Sequence, residues 1–425
     1  MTPGAQAAYR AVEAVWRIES ARLIAGLARR VGGDLGLAED LAQDALVAAL
    51  ERWPESGVPR NPGAWLMAVA KRRAVDGFRR DSTREGKHEE LAREREAEAA
   101  GAEADLLTSL DDPVGDDLLR LVFTACHPVL APEARVALTL RLVGGLTTEE
   151  IARAFLVPVA TLAQRIVRAK RTLAEARVPF EVPRGPELTE RLPAVLAVVY
   201  LVFNEGYAAS AGEGWIRPAL CEDAQRLGRI LARLVPEQPE VHGLVALMEI
   251  QASRLRARVG TAGEPILLED QDRARWDRLL VRRGLAALAR AEDLSRTQGG
   301  ALGPYALQAA IAACHARARR AADTDWARIA ALYDALLQLD PTPVVALNRA
   351  MAVGMAFGPG AGLELVDTLA DEPALNAYPY LPVLRGDLLC KVGRTGEAKA
   401  EFLRGAALTR NLRERALWVA RAEAL

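Results

Sequence analysis

Apolar positions along the chain recur at helical spacing, and the pattern predicts one helix after another. Val12, Val15, Trp16, Leu23, Ile24 and Leu27 mark a first helix over 11–31, which Gly32 and Gly33 stop. A second, over 38–53, places Ala42, Leu46, Ala49, Leu50 and Trp53 on its core face. Its other face carries Asp40, Gln43, Asp44, Val47 and Glu51. Pro54 ends this helix, and a loop broken by Gly57 and Pro59 runs to Pro62. A third helix, over 63–80, starts near Trp65 and closes on Lys71, Arg72, Arg73, Arg79 and Arg80. An aromatic and clustered cations beside a loop suit melted or single-stranded DNA, because cations hold backbone while a ring and loop receive an unstacked base. A plain core role for Trp65 is the structural alternative.

Residues 82–115 are charged and poor in large apolar side chains, which predicts a linker with some helix over 89–100. Helical periodicity returns over 116–180 and includes a helix at 133–143. The stretch 145–173 reads as two short helices joined by a tight turn. Thr148 is the expected N-cap of the first, with Glu149 and Glu150 in its opening turn and Ile151, Ala154 and Phe155 as its apolar stripe. Pro158 opens the second. Leu162, Ile166, Ala169 and Leu173 fall on one of its faces, and Ala160, Ala163, Gln164, Val167, Arg168 and Arg171 on the other. Arg165, Arg168, Lys170 and Arg171 precede its first acid, Glu175. Cations neutralise phosphates and small side chains let a backbone approach base edges, so such a helix suits a DNA major groove. The structural alternative is a hairpin whose basic face is merely solvated.

Residues 181–425 continue as helices, expected over 214–234, 238–259 and 271–290 after a dense apolar helix that ends near Asn204, Glu205 and Tyr207. Beyond Pro304 the pattern becomes repetitive. DWARIAALYDALLQLDPTPVVALNRAMAV and LPVLRGDLLCKVGRTGEAKAEFLRGAALT, with Gly393 between two helices, follow the tetratricopeptide spacing of about 34 residues per helical pair. The expected fold is therefore all-α: two small helical domains, 1–81 and 116–180, joined by the 82–115 linker, then a helical-hairpin extension over 181–425.

Composition narrows the function classes. A share of 51% hydrophobic and 26% charged residues marks a globular chain, and 5% aromatics favours helix over strand. The net charge of -1 supplies no global positive field, so DNA binding must come from local basic faces. No apolar run is long enough for a membrane span and no secretory signal follows Met1, which points to a cytoplasmic protein. Four cysteines stand singly, without disulfide or zinc spacing, and Cys126–His127 and Cys314–His315 read as core neighbours. Glu205 and Asn204 read as polar groups bonding backbone at a helix end, and Glu269, Asp270 and Asp272 as a loop before a capped helix. An enzyme built on Glu205, Asp270 and Asp272 would require those carboxylates to share a pocket. No catalytic residue, metal or cofactor is expected.

The order of these segments resembles a sigma-70-type transcription initiation factor of the extracytoplasmic-function (ECF) group. The residues that carry the resemblance are AEDLAQDALVAALERW, the proline-rich loop, NPGAWLMAVAKRRAVDGFRR, and the span from LLRLVFTACHP through AFLVPVATLAQRIVRAKRTL. FTACHP, FNEGYAAS and LLEDQDRARWDRLL bring it closest to the long ECF members with a C-terminal extension. The resemblance implies that Asp40, Gln43 and Asp44 contact the β′ clamp helices of core RNA polymerase. It implies that Trp65, Lys71, Arg72, Arg73, Arg79 and Arg80 serve −10 recognition and melting, although Arg72 replaces the asparagine of many members. Ala163, Gln164, Val167 and Arg168 would face bases of the −35 element, with Arg165, Lys170 and Arg171 on phosphates. The second DNA-binding domain would also meet the β flap, and the extension would act in cis on the sigma domains. A helix-turn-helix regulator with a tetratricopeptide-like sensor and no polymerase contact is the alternative. It leaves the Asp40 and Trp65 helices without a role.

Overall fold

A computed structural model describes residues 3–85, 113–155, 157–208, 211–212, 215–261 and 263–425. The described chain is helical almost throughout and falls into two compact units, 1–198 and 199–425. The helix expected over 89–100 lies outside the described residues.

In the first unit, α1 (Pro3–Arg30), α2 (Leu35–Ser56) and α3 (Pro62–Glu85) pack mutually around Ile24, Leu27, Trp53 and Leu66. Asp34 caps α2 by accepting from the backbone N–H groups of Gly36 and Leu37 at 2.9 and 3.0 Å. This moves the start of α2 ahead of the expected position, since an aspartate cap satisfies donors that water would otherwise take. Pro54 does not end α2: the helix runs to Ser56, and the Gly57 N–H closes on the Trp53 carbonyl at 2.9 Å. A proline one turn from a helix end forfeits a single hydrogen bond, and burial of Trp53 holds that turn in place. The core stripe of α2 is also rotated from the expected one. Ala38, Leu41, Ala42, Ala45, Ala48 and Ala49 are buried, whereas Leu46 and Leu50 are only half-buried.

The same unit continues with α4 (Pro113–Ala125), α5 (Pro132–Leu142), α6 (Thr148–Ala154) and α7 (Val159–Glu175). α1 packs against α4, and α5 and α6 pack against α7. Arg29 and Asp117 tie α1 to α4 at 3.1 Å. Then α8 (Pro186–Tyr207) begins, and its Arg191 donates to the Phe123 carbonyl at 3.0 Å.

The second unit contains α9 (Pro218–Leu234), α10 (Pro239–Ala252), α11 (Arg278–Thr297), α12 (Pro304–Arg317), α13 (Trp326–Leu339), α14 (Pro343–Phe357), α15 (Pro359–Asp367), α16 (Tyr380–Lys391), α17 (Thr395–Leu408) and α18 (Leu412–Glu423). Helices close in sequence pack as neighbours, with α10 against α11 and α12, α13 against α14, and α16 against α17. Gly284 makes the α10–α11 approach possible: a Cβ there would stand 2.6 Å from Ile250. Gly393, at φ +82°, turns α16 into α17, a conformation that favours glycine. Two helices differ from expectation. α10 stops at Ala252 rather than 259, and α11 starts at Arg278, where Asp277 accepts from the N–H groups of Leu279 and Leu280. Between them run short 3₁₀ turns. The one pairing of strands among the described residues joins β1 (Ala211–Gly212) to β2 (Arg410–Asn411) in parallel.

Candidate functional site

The helix-turn-helix is built by local capping. Thr147, not Thr148, is the N-cap of α6: its hydroxyl accepts from the Glu150 N–H at 3.1 Å, and the Glu150 carboxylate accepts from the Thr147 N–H at 2.8 Å. This reciprocal box satisfies two donors at the helix start. Phe155, half-buried, is the C-cap of α6, and Pro158 stands one position before α7 begins. Inside α7, Leu162, Ile166, Ala169 and Leu173 are buried, as their spacing predicts. Gln164, Val167, Arg168 and Arg171 are exposed, Val167 at 62%. Ala163 and Arg165 are half-buried, and Arg165, Gln164 and Arg168 border a groove against the Val129–Ala131 loop.

Lys170 lies elsewhere. Its Nζ donates to Glu39 Oε2 at 2.7 Å, while Arg141 Nε of α5 donates to Oε1 of the same carboxylate at 2.6 Å. Glu39 sits on α2, and its side chain is only 5% exposed. Gln43 also donates to Oε1, at 2.8 Å. Burial pushes the Glu39 carboxyl upward, but Arg141 and Lys170 outweigh it and hold the group below the usual carboxylate range. One acid thus pins the expected DNA-reading helix to the helix expected to dock on polymerase.

Among the remaining expected contacts, Asp40 is exposed, and Asp44 pairs with Arg73 at 3.2 Å. That pair joins α2 to α3 and brings an acid expected to face polymerase to a cation expected to face the −10 element. Trp65 is half-buried and packs edge-on against Trp53 with ring centroids 5.3 Å apart. Arg72 is exposed and Lys71 half-buried. The side chains of Arg79 and Arg80 lie outside the described residues.

Glu39 and Arg141 were not among the expected site residues. Glu39 neighbours Leu35, Ala38 and Ala42 along the buried stripe of α2, and an acid on an apolar stripe requires a cationic partner. That position was the available signal. No spacing rule pairs it with residues 102 and 131 positions away.

Two carboxylates of the enzyme reading, Glu205 and Asp272, take structural roles. Glu205 pairs with Arg217, Asp272 caps a 3₁₀ turn through the Ala274 N–H at 2.9 Å, and Asp270 is exposed. Cys126 is buried with its Sγ 3.2 Å from the Thr139 hydroxyl, and Cys314 is buried in the α12–α14 core. No helix among the described residues is long and apolar enough to cross a membrane.

Residues 18–84 match Sigma-70 region 2, and residues 120–173 match Sigma-70, region 4. Residues 191–292 match a family of unknown function (DUF6596). An uncharacterized protein of Rhizobium meliloti is 45% identical over 385 residues, covering 90% of this chain and 88% of that protein. The probable ECF RNA polymerase sigma factor SigI of Mycobacterium tuberculosis is 32% identical over 171 residues, 40% of this chain and 57% of that one. The ECF RNA polymerase sigma factor SigK of Mycobacterium ulcerans is 30% identical over 155 residues, 35% of this chain and 76% of that one. No solved structure matches the chain. With both sigma regions in order and a long helical part behind them, the chain belongs to the ECF sigma-70 family.

Proposed function

We propose that this chain lends promoter specificity to core RNA polymerase in the cytoplasm, the polymerase carrying out the chemistry. The exposed face of α2, with Asp40 at its centre, docks on the β′ clamp helices. α3 and its preceding loop engage the −10 element. α7 reads the −35 element through Ala163, Gln164, Val167 and Arg168, while Arg165, Arg171 and Lys170 hold phosphates and the α4–α7 module meets the β flap. Gln164 suits an adenine edge and Arg168 a guanine. The extension acts in cis on the sigma domains.

The observation that carries this reading is the division of α7 into a fully buried apolar back and an open front of Gln164, Val167, Arg168 and Arg171. The Glu39 contact adds a condition. The −35 and −10 elements are about 25 base pairs apart, or roughly 85 Å at ~3.4 Å each. α3, packed against α2, and α7 cannot reach both elements while Glu39 of α2 holds Lys170 of α7. The packed arrangement is then the state away from the promoter, and Lys170 becomes a phosphate contact only on opening.

Run-off transcription with purified core polymerase and a promoter library tests the proposal. Specific start sites that depend on this chain support it. Absence of such sites, together with failure to co-elute with core polymerase, would favour the regulator that binds DNA alone.

A further inference from the structure

Three arginines of the second unit lie buried with no carboxylate in ion-pair contact among the described residues. Arg254, Arg258 and Arg273 are 6%, 9% and 9% exposed, and none forms an ion pair among the described residues. Aromatic rings separate them instead. Arg258 lies 4.3 Å from the Trp215 ring centroid and 3.7 Å from that of Tyr207. Arg254 stands between Tyr207 and Trp276 at 5.8 and 5.7 Å, and Arg273 is 4.9 Å from Trp276 on the far side. The result is a ladder of alternating rings and cations between the end of α8 and α12.

The hydrogen bonds are unevenly supplied. Arg273 is held by the carbonyls of His315 and Ala318, the latter at 2.8 Å. Arg258 gives one bond, to the Tyr207 carbonyl at 3.1 Å. The Arg254 guanidinium has no acceptor at all among the described residues. The Nε atoms of all three arginines and the indole N–H groups of Trp215 and Trp276 are buried without a partner. These orphaned groups are all donors. The nearby acceptor without a partner is Gln271 Oε1.

Ring faces attract cations but return only part of the hydration that burial removes. Burial draws the Arg254 guanidinium downward, and repulsion from Arg258 and Arg273 adds to it. His315, beside Arg254 and Arg273, stays neutral and adds no compensation. A site rich in donors and positive charge, and short of acceptors, is complementary to an oxyanion. Its burial excludes a macromolecular surface, so a ligand here must be small.

We propose that this arginine–aromatic ladder is a small-anion site that takes a phosphate or carboxylate group, with Arg254 as its principal donor. The C-terminal unit then carries a ligand site separate from the promoter-reading surface.

The test uses the full-length chain freed of phosphate and sulfate in a chloride buffer. Thermal unfolding and intrinsic tryptophan fluorescence are followed as inorganic phosphate or citrate is added, with sodium chloride holding ionic strength constant. A saturable rise in Tm with a matching fluorescence change supports the site. Saturation by phosphate identifies a phosphate-bearing ligand, and saturation by citrate a carboxylate-bearing one. Arg254→Gln should weaken the apparent Kd at least tenfold. Arg258→Gln should weaken it too, and decides the matter should Arg254→Gln not fold. Absence of saturation by either anion, or unchanged affinity in the folded variants, overturns the proposal.

Discussion

Replacing Glu39 with glutamine isolates the contact between α2 and α7. The side chain keeps its shape and one acceptor but loses the charge facing Arg141 and Lys170. Two unit-charge pairs near 4 Å attract by about 4 kcal/mol each at an effective dielectric of about 20. Desolvation of the carboxylate offsets several kcal/mol of that sum. Both cations remain 20% exposed and can turn to water when released, so the cost falls below the ~3–5 kcal/mol of a fully enclosed pair. We expect about 2 kcal/mol, equivalent to a roughly 30-fold shift towards the separated arrangement. Fluorescence energy transfer in the full-length chain reads this directly, with dyes at Arg60→Cys and Glu175→Cys and Cys390 replaced by serine. Glu39→Gln should enrich the low-transfer population. Glu51→Gln, an exposed acid of the same helix, should not. The sign with pH follows from the lowered carboxyl of Glu39. Its stabilisation is complete above the ordinary value of 4.5 and is lost as pH falls through the lowered one. Equal transfer in Glu39→Gln and the parent at neutral pH would refute the reasoning.

Other outcomes follow from the same geometry. Arg168→Ala should weaken −35 recognition by about 1–3 kcal/mol at one or two base positions in a binding-site selection assay. A uniform loss across sequences would move Arg168 to the phosphates. Thr147→Ala removes one half of the α6 capping box and should lower stability by about 0.5–2 kcal/mol in urea unfolding, with DNA affinity falling in parallel. His315 is held down to about 3 by burial and by Arg254 and Arg273, so the unfolded chain takes up a proton that the folded chain refuses below pH 6.5. The His315 contribution to stability should therefore fall as pH drops below 6.5, by at most about 1.4 kcal/mol per pH unit, and His315→Asn should remove that component. Burial raises the thiols of Cys126 and Cys221 to about 11 and about 12. A thiol reagent at pH 8 should modify half-buried Cys390 first in the native chain, and mass mapping would expose any other order.

The sequence pattern carried α7 well because burial there obeys one rule. Leu162, Ile166, Ala169 and Leu173 repeat at the helical period, and nothing distant overrides it. Boundaries were less legible where two residues compete for one role. Thr147 and Thr148 are equally good caps by type, and only the reach of Glu150 back to the Thr147 N–H selects the first. Pro54 is a breaker by local rule, yet the packing of Trp53 against Trp65 retains the turn around it. The ladder was hidden for a different reason. Arg254, Arg256 and Arg258 alternate with apolar residues in a stretch that reads as an exposed helix end. The fold instead ends α10 at Ala252 and turns Arg254 and Arg258 inward, leaving Arg256 outside. Long-range partnerships such as Glu39 with Lys170 have no periodic signature at all.

The ion pairs of the first unit have a consequence for ionic strength. DNA binding by cationic side chains releases condensed counterions, so added salt weakens it steeply. Lys170 and Arg73 are already occupied by Glu39 and Asp44. Salt screens those internal pairs as well, the exposed Asp44 pair more than the enclosed Glu39 pair. The two effects oppose each other: a little salt frees cations for the promoter, and more salt removes their grip on it. If Lys170 and Arg73 contact the promoter, its affinity for this chain should fall less steeply with ionic strength at low salt than a count of free cations predicts. The size of that shortfall measures how tightly the protein holds its own charges.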